Sequence, residues 1–517
     1  MAAIATGSVV AVIGSGAMGS GIAQIAAAAG HTVRLFDTRA EAALKAIADI
    51  GAVYAKLVEK GKMSAANADA ARARLHAASG LAEMADAALV VEAIVENLDA
   101  KRALFADLEA IVGENAILAT NTSSISVTAI AARLRHPQRL VGMHFFNPVP
   151  LMALVEVISG VASDSAVAAT VFDTAAAWGK NPVHAKSTPG FIVNRVARPF
   201  YAEGLRLLNE QAADPATIDA VMRDGGGFRM GPFELMDLIG HDVNYSVTQS
   251  VFNAYYNDPR YTPSVLQQEL LNAGFLGRKS GRGFFRYGEG AANPEPRSEA
   301  PQPRPDYVGY SIEPGQSDAI TRALCERLEA HGQKVARRKS AEGHQHSEAP
   351  AFHCNGAAVY FTDGRTATAR ARDNRHADTI VFDLVLDYAK AARIALARAD
   401  QCRPEAFDAV VGIFQAAGFA VTRLDDVPGL AVMRTVAMLA NEAADAVNQG
   451  VCSAAAADTA MQKGVNYPRG PLAWADAVGI GHIVTVLENM AAAYGEDRYR
   501  VSPLLRRKQA AGARFHA

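Results

Sequence analysis

Two residues close together in this chain have the types needed to move a proton. His144 opens the run His144-Phe-Phe-Asn147-Pro-Val-Pro, and Glu156 follows twelve residues later between Val155 and Val157. A histidine titrates near neutrality and suits a base that takes a hydroxyl proton. A buried carboxylate beside it would fix the ring and stabilise the imidazolium. Ser123 and Asn194 carry side chains able to hydrogen-bond a reacting oxygen. With a hydride acceptor, such a set oxidises a secondary alcohol. Taken singly, each residue also has a structural reading: a satisfied strand-end histidine, a glutamate on the outer face of an alternating strand, a serine capping a helix.

The elements that must position this set begin at the N-terminus. Val9-Val-Ala-Val-Ile13 reads as a strand, Gly14-Ser-Gly16-Ala17-Met18-Gly19 as a turn, and Gly21-Ile-Ala-Gln-Ile-Ala as a helix. Thr32-Val-Arg-Leu-Phe-Asp37 is then a second strand ending in an acid. This order predicts a dinucleotide site: Gly14 for the tight turn, Gly16 for approach of a pyrophosphate, Gly19 for close helix packing. Ala17 and Met18 lie in the same turn, where the helix N-terminus favours phosphate charge. Asp37 would accept from the ribose hydroxyls and repel a 2′-phosphate, favouring NAD, although nearby Arg39 leaves NADP open. Further strands are expected at 89–94, 116–120 and 140–143, with helices at 40–60 and 99–112. The alternation predicts an α/β parallel sheet whose carboxyl edge gathers Asn121, Ser123 and His144.

At 517 residues the chain is too long for one core. Lys plus Arg total 51 against 53 Asp plus Glu, which gives no electrostatic reason to expect nucleic acid or a membrane surface as partner. The four cysteines are scattered and the apolar start runs directly into the glycine turn, so neither a disulfide framework nor a signal peptide is expected. No apolar run is long enough to span a bilayer, and a cytoplasmic location fits. His344, His346, His353 and Cys354 have no metal-like spacing, and no metal is expected.

From Thr188 the pattern becomes helical, with Phe191–Asn209 read as one helix carrying Asn194 in its first turn. This region recurs. A shift of 239 residues superposes Pro189-Gly190 on Pro428-Gly429, Arg195 on Arg434, Glu203 on Glu442, and Gly231-Pro232 on Gly470-Pro471 without a gap. Asn194 meets Met433, so the copy has lost that amide. The expected division is a Rossmann-type α/β domain at 1–187, an all-α domain at 188–287 and a linker at 288–306. A degenerate small α/β domain at 307–425 and a second all-α copy at 426–517 complete it.

Residues 8–285 resemble the L-3-hydroxyacyl-CoA dehydrogenase family from end to end. The matching segments are GSGAMGSGIAQ (14–24), VVEAIVENLDAK (90–101), NTSSIS (121–126), GMHFFNPVPLMALVEVI (142–158), TPGFIVNR (188–195), MGPFELMDLIG (230–240) and LGRKSGRGFF (276–285). The resemblance implies His144 as general base, Glu156 as its partner, and Ser123 and Asn194 as ligands of the substrate oxygen. It implies NAD as cofactor, with Glu96 and Lys101 near the nicotinamide end and Asn121 beside it. It also implies an acyl-CoA substrate, with Lys56 and Lys60 on a helical arm facing the CoA phosphates and Asn147 on the substrate side. The tandem layout resembles a longer subgroup of the family that includes oxidisers of 3-hydroxyadipyl-CoA in phenylacetate breakdown. A dicarboxylic substrate would require a cation, for which Arg229 is one candidate. Single-copy members pair through their helical domain, so this chain is expected either as a homodimer or as a monomer whose second copy fills the pairing position. The alternative reading is a dehydrogenase of a non-CoA hydroxy acid on the same fold, and residues 307–517 also suit a non-catalytic scaffold.

Overall fold

Val9–Ile13 (β1) is a run of five apolar residues, the last four buried, as expected of a strand covered on both faces. In the computed structural model, which describes residues 2–306, 308–312, 317–339 and 350–516, it lies centrally in an eight-stranded sheet. The other strands are β2 (Thr32–Phe36), β3 (Leu75–Ala77), β4 (Ala87–Glu92), β5 (Ile117–Thr120), β6 (Leu140–Phe145), β7 (Leu154–Ser159) and β8 (Asn181–Lys186). Their order is β3-β2-β1-β4-β5-β6-β7-β8, and all neighbours run parallel except β6 and β7. The strand order reverses between β1 and β4, the switch point where such sheets bind ligands. Val10, Val12, Val33, Leu35, Leu89 and Val91 form the centre of the core. Each such side chain contributes about 1.5–3 kcal/mol by leaving water.

The chain divides into two compact units, one of residues 1–195 with 449–466, the other of residues 196–448 with 467–517. The first unit therefore includes a piece of the second helical copy. Its helix Ala454–Gly464 packs on β7 and β8. Gly464 makes that approach feasible, since a Cβ there would stand 2.6 Å from Leu154. Val451 accepts a backbone hydrogen bond from Lys186 at 2.9 Å.

The second unit holds a seven-stranded sheet of β9 (Val308–Ile312), β10 (Val335–Lys339), β11 (Phe352–Cys354), β12 (Ala357–Phe361), β13 (Thr379–Phe382), β14 (Arg393–Arg398) and β15 (Ala420–Arg423). Their order is β10-β9-β11-β12-β13-β14-β15. The first helical copy mirrors the arrangement of the second. Its π-helical turn Val221–Gly225 packs on β14, and Ala212 accepts from the Asp425 amide at 3.0 Å. The 239-residue offset maps Lys186 and Ala212 onto Asp425 and Val451, so the same backbone bond is made reciprocally in the two units.

The expected helix 191–209 is broken into Val193–Val196 and Arg198–Asn209. Gly190 and Phe191 both have positive φ, which delays the start, and Pro199 lacks the amide that would continue the ladder. The Arg198–Asn209 helix packs on its counterpart Val432–Asn448 in the second unit. Buried charges join the two copies in a pseudo-twofold pattern. Glu203 faces Arg434 at 2.9 Å and Arg498 at 3.0 Å, while Glu442 accepts from Arg260 at 3.2 Å and from the Tyr261 hydroxyl at 2.6 Å. The segment 288–306 has no helix or strand, yet it is held along the second sheet through bonds such as Glu299 N to Val421 O at 2.8 Å.

Of the residues weighed as metal ligands, His344 and His346 lie outside the described residues, His353 is exposed on β11 and Cys354 is buried. Among the described residues no group of three His, Cys, Asp or Glu could hold a metal ion, and no helix is long and apolar enough to cross a membrane.

Candidate active site

All the residues singled out as catalytic lie in the first unit, at the carboxyl edge of its sheet. The glycine turn follows β1. Gly14 has φ +103°, and a Cβ there would meet the Ala93 carbonyl oxygen at 2.4 Å. Gly19 lies so near Gly14 O that a Cβ would approach it to 1.8 Å, whereas the space beside Gly16 is open to 4 Å. Two glycines thus close the turn and one leaves its backbone approachable. Gly16 caps the helix Ala17–Ala28; Ala17 is exposed beyond it, and Met18 packs partly on the core.

A cavity of about 710 Å³ opens beside this turn, bordered by Gly14, Gly16, Asp37, Arg39, Ile94 and Leu104. Asp37 Oδ2 accepts from the Ser15 amide at 3.0 Å and the Ser15 hydroxyl at 2.7 Å, and Oδ1 pairs with Arg39 Nε at 3.2 Å. Partial burial opposes ionisation, but these bonds from Arg39 and Ser15 hold the carboxyl well below the usual carboxylate range. The cavity therefore presents open backbone at a helix N-terminus and, one strand away, a permanent negative charge. Those features fit the pyrophosphate and adenosine ribose of NAD.

The histidine and glutamate face each other across β6 and β7, the one antiparallel step of the sheet. His144 Nδ1 lies 2.6 Å from Glu156 Oε2, and Glu156 Oε1 accepts from the Ile192 and Val193 amides at 2.9 and 3.0 Å. Glu156 is fully buried and His144 is 5% exposed. The carboxylate is satisfied at both oxygens, so the ring has one orientation. Phe146 and Phe191 flank it, with ring centroids 4.5 and 5.8 Å away. Cys452, from the inserted piece of the second copy, has its thiol pushed up to about 12, first by burial and then by the charge of Glu156. It is an inert neighbour.

The loop after β5 is tied to this pair. Asn121 Oδ1 accepts from the Phe145 amide at 2.9 Å, next to His144. Asn194 Nδ2 reaches the Ser123 carbonyl at 3.4 Å, a long bond that leaves the amide available. Glu96 Oε1 accepts from Thr122 Oγ1 at 2.5 Å, and from the Ser123 and Ser124 amides at 3.0 and 3.1 Å. Burial opposes its ionisation, but Thr122 and Lys101 lower the Glu96 pKa on balance. Glu96 thus serves as the anchor of the serine loop.

Lys101, expected near the nicotinamide end, is held by two carboxylates. Its ammonium is 1% exposed and lies 2.6 Å from Glu92 and 3.2 Å from Glu96. Glu92 in turn accepts from Thr120 Oγ1 at 2.6 Å. Lys101 therefore acts on the loop through Glu96. Glu92 was not anticipated, because an acid inside Leu-Val-Val-Glu-Ala-Ile gives no sign of its partner nine residues on. Arg195 was also missed; it is 1% exposed and donates to Gln449 Oε1 at 2.8 Å, a residue of the inserted segment.

Lys56 and Lys60 are exposed at the end of the helix Ala40–Glu59, one turn apart, with the Lys60 amide donating to the Lys56 carbonyl. Asn147 is exposed after β6 and borders a second cavity, of about 460 Å³, together with Gly16, Ala17 and Ser20.

The repeat extends into the site. The 239-residue offset places Asp383 at the position of His144 and Ala395 at that of Glu156. The pairing confirms the match, since Phe382 faces Leu396 in antiparallel register and the Asp383 amide donates to Ala395 O. Asp383 accepts from the Ala431, Val432 and Met433 amides at 2.7–2.9 Å. This is the stretch corresponding to the one that Glu156 holds in the first copy. At these positions the degenerate half keeps the latch and has Asp383 and Ala395 in place of the His–Glu pair.

Comparison with known proteins agrees with these features. The protein-family description "3-hydroxyacyl-CoA dehydrogenase, NAD binding domain" matches residues 9–188, and the corresponding C-terminal domain matches twice, at 190–287 and 429–514. A "3-hydroxybutyryl-CoA dehydrogenase reduced Rossmann-fold domain" matches 359–428. The chain is 43% identical to the 3-hydroxyadipyl-CoA dehydrogenase of Escherichia coli K12 over 96% of its own length and 97% of that protein. It is 40% identical to human mitochondrial hydroxyacyl-coenzyme A dehydrogenase over 54% of its length and 90% of that protein. A solved structure described as 3-hydroxybutyryl-CoA dehydrogenase from Escherichia coli K12 superposes with a TM-score of 0.85 at 40% identity, covering 98% of this chain and 99% of that one. With its NAD-binding sheet, its histidine edge and its two helical copies, the chain belongs to the 3-hydroxyacyl-CoA dehydrogenase family and is an NAD-dependent enzyme of that kind.

Proposed function

We propose that the chain oxidises a (3S)-3-hydroxyacyl-CoA to the 3-oxoacyl-CoA with His144 as general base, and that 3-hydroxyadipyl-CoA is preferred over 3-hydroxybutyryl-CoA. The observation that carries the mechanism is the 2.6 Å contact of His144 Nδ1 with a carboxylate whose other oxygen holds two backbone amides. That contact is best made with the proton on Nδ1, which leaves the Nε2 lone pair to take the C3 hydroxyl proton. As the ring becomes cationic, Glu156 stabilises it, both side chains being buried. Asn194 Nδ2 and the Ser123 hydroxyl hold the reacting oxygen, while Glu96, backed by Lys101, fixes the Ser123 loop. NAD, when bound, accepts the hydride from C3. Lys56 and Lys60 meet the phosphates of CoA as exposed cations.

The preference for the dicarboxylic substrate is supported by the relative named for 3-hydroxyadipyl-CoA, which is similar along nearly the whole chain. The test is a panel of reductions followed by loss of NADH: 3-oxoadipyl-CoA, acetoacetyl-CoA and free 3-oxo acids. The reading requires turnover of the CoA esters and not of the free acids. His144→Gln should lower the chemical rate by at least about a hundredfold, the usual effect of losing a general base, while NAD affinity stays within about twofold. Turnover close to wild type in His144→Gln would remove His144 from the mechanism.

A further inference from the structure

Lys180 stands in the turn between the helix Ser165–Ala177 and β8, and it is 9% exposed. Lys101, also buried in this first unit, lies between two carboxylates. Lys180 has no carboxylate partner among the described residues. Its ammonium donates instead to two backbone carbonyls, Val149 at 2.5 Å and Met152 at 2.8 Å. Among the described residues no backbone amide reaches either carbonyl, so the lysine is their donor. Burial lowers the Lys180 pKa from the ordinary lysine value. An ammonium taken out of water costs free energy that carbonyl dipoles offset only in part. An apolar side chain would fill the same space without that cost. What the cation does in return is hold two carbonyls of one short segment.

That segment, residues 146–153, connects β6 to β7, the strands that carry His144 and Glu156. It is fixed along its whole course. At its start the Phe146 ring lies 4.5 Å from the His144 ring. In its middle Val149 packs on the helix Ala17–Ala28 at Gly21, where a Cβ would meet the Val149 Cβ at 2.7 Å. At its end Ala153 O accepts from the amide of Asn181, the neighbour of Lys180, at 2.7 Å. Asn147 and Pro148 border the cavity of about 460 Å³ that Gly16 and Ser20 also line. The connection thus touches the base at one point and the helix behind the dinucleotide turn at another. The Lys180 ammonium closes the stretch from Val149 onward.

We propose that Lys180 is a positioning residue for the reaction: by clamping the β6–β7 connection, its ammonium fixes the spacing between His144 and the helix that presents NAD. The proposal rests on the reading of His144 as general base. The test is single-turnover oxidation of NADH by saturating acetoacetyl-CoA in wild type, Lys180→Met, Lys180→Arg and His144→Gln, with rates taken per NADH-binding site. Misplacing a reacting group by about 1 Å can cost about a hundredfold in rate. Lys180→Met keeps the stem and drops the donors, so it should slow the single turnover about ten- to a hundredfold while the NADH dissociation constant stays within about twofold. Lys180→Arg keeps a charge and paired donors and should be at least about threefold faster than Lys180→Met. A lysine that served stability alone would lower the melting temperature and leave the rate per site unchanged. That result overturns the proposal, as does a Lys180→Arg enzyme no faster than Lys180→Met. Should Lys180→Met not fold, Val149→Ala loosens the same connection and leaves the lysine its carbonyls; a wild-type rate there overturns it equally. Wild-type turnover in His144→Gln would refute the base itself, whereas a slow His144→Gln beside a fast Lys180→Met refutes only the clamp.

Discussion

Replacing Glu156 by glutamine changes one atom and should disable the base. The native carboxylate faces His144 Nδ1 with Oε2 and two backbone amides with Oε1. A glutamine must choose an orientation. Turning its NH₂ toward Ile192 and Val193 would leave two buried amides without acceptors, at about 1–3 kcal/mol each. The amide oxygen therefore stays on the backbone and the NH₂ faces Nδ1. The ring then responds by placing its proton on Nε2, so that Nδ1 accepts, and the nitrogen needed as base no longer has its lone pair. A triad acid replaced by its amide lowers turnover about 10⁴-fold through the same tautomer exchange, and we expect about 10³–10⁴ here. In barrier terms that is about 4–5.5 kcal/mol. The assay is single-turnover oxidation of NADH by acetoacetyl-CoA at saturating cofactor. Melting of the same variant separates chemistry from folding. Glu156→Gln keeps the backbone bonds and should lose less than about 2 kcal/mol of stability, whereas Glu156→Ala strands both amides and should lose about 2–6 kcal/mol. A Glu156→Gln enzyme retaining a tenth of wild-type turnover would refute the tautomer argument.

Three further outcomes test the duplicated half. Glu203→Gln leaves Arg434 and Arg498 facing an uncharged group in a buried network; urea unfolding should show a loss of about 3–5 kcal/mol, and a loss under 1 would mean the pair is dispensable. Met433→Ala removes a fully buried side chain; it should cost about 2–5 kcal/mol of stability yet leave kcat intact, since Asp383 and Ala395 stand where the first copy has His144 and Glu156. Asp383 is buried at the position equivalent to His144, and burial raises its pKa to about 6 against opposing bonds from the Met433, Val432 and Ala431 amides. A folded-state pKa above the unfolded value of about 3.9 means that the folded chain binds the extra proton, so this group lowers stability as pH rises from 4 through 6. Relative to wild type, the melting temperature of Asp383→Asn should therefore rise between pH 5 and pH 8 by the equivalent of about 1.5 kcal/mol, about half of the full effect of roughly 3 kcal/mol that begins near pH 4; a constant difference across that range would show that Asp383 does not titrate there.

Much of the first sheet could be read from local pattern, because its central strands are continuous apolar runs between glycines and acids. Val9–Ile13 and Thr32–Phe36 were expected within a residue or two of where they lie. Leu75–Ala77 and Asn181–Lys186 were not, since edge strands carry polar residues such as His76, His184 and Lys186 and lack the apolar signal. The break at Ala197 was legible in principle from Pro199, but the apolar periodicity across 191–209 outweighed it. Partnerships across long separations were beyond local reading: nothing near Lys101 indicates that its ammonium is enclosed by Glu92 and Glu96, or near Arg195 that Gln449 receives it.

The repeat shows how the same reasoning reaches further when the offset is followed upstream. The superposition of 189–240 on 428–479 is visible in the helical part because small and charged residues recur there. Carried back through β6 and β7, the same shift puts Asp383 where His144 stands and Ala395 where Glu156 stands, and the strand register agrees. In the first copy the glutamate spends one oxygen on the histidine and the other on the backbone that begins the next helix. In the second, the aspartate uses both oxygens on that backbone stretch. With no base to orient, the carboxylate has become wholly structural. What the second copy retains is the connection from its sheet to its helices, together with the reciprocal bond by which Val451 and Ala212 each receive an amide from the other copy's sheet edge. Selection on such a half acts through packing beside Glu156 and Arg195. Gln449 and Gly464 should therefore tolerate change less well than residues of the degenerate sheet that face solvent, such as His353.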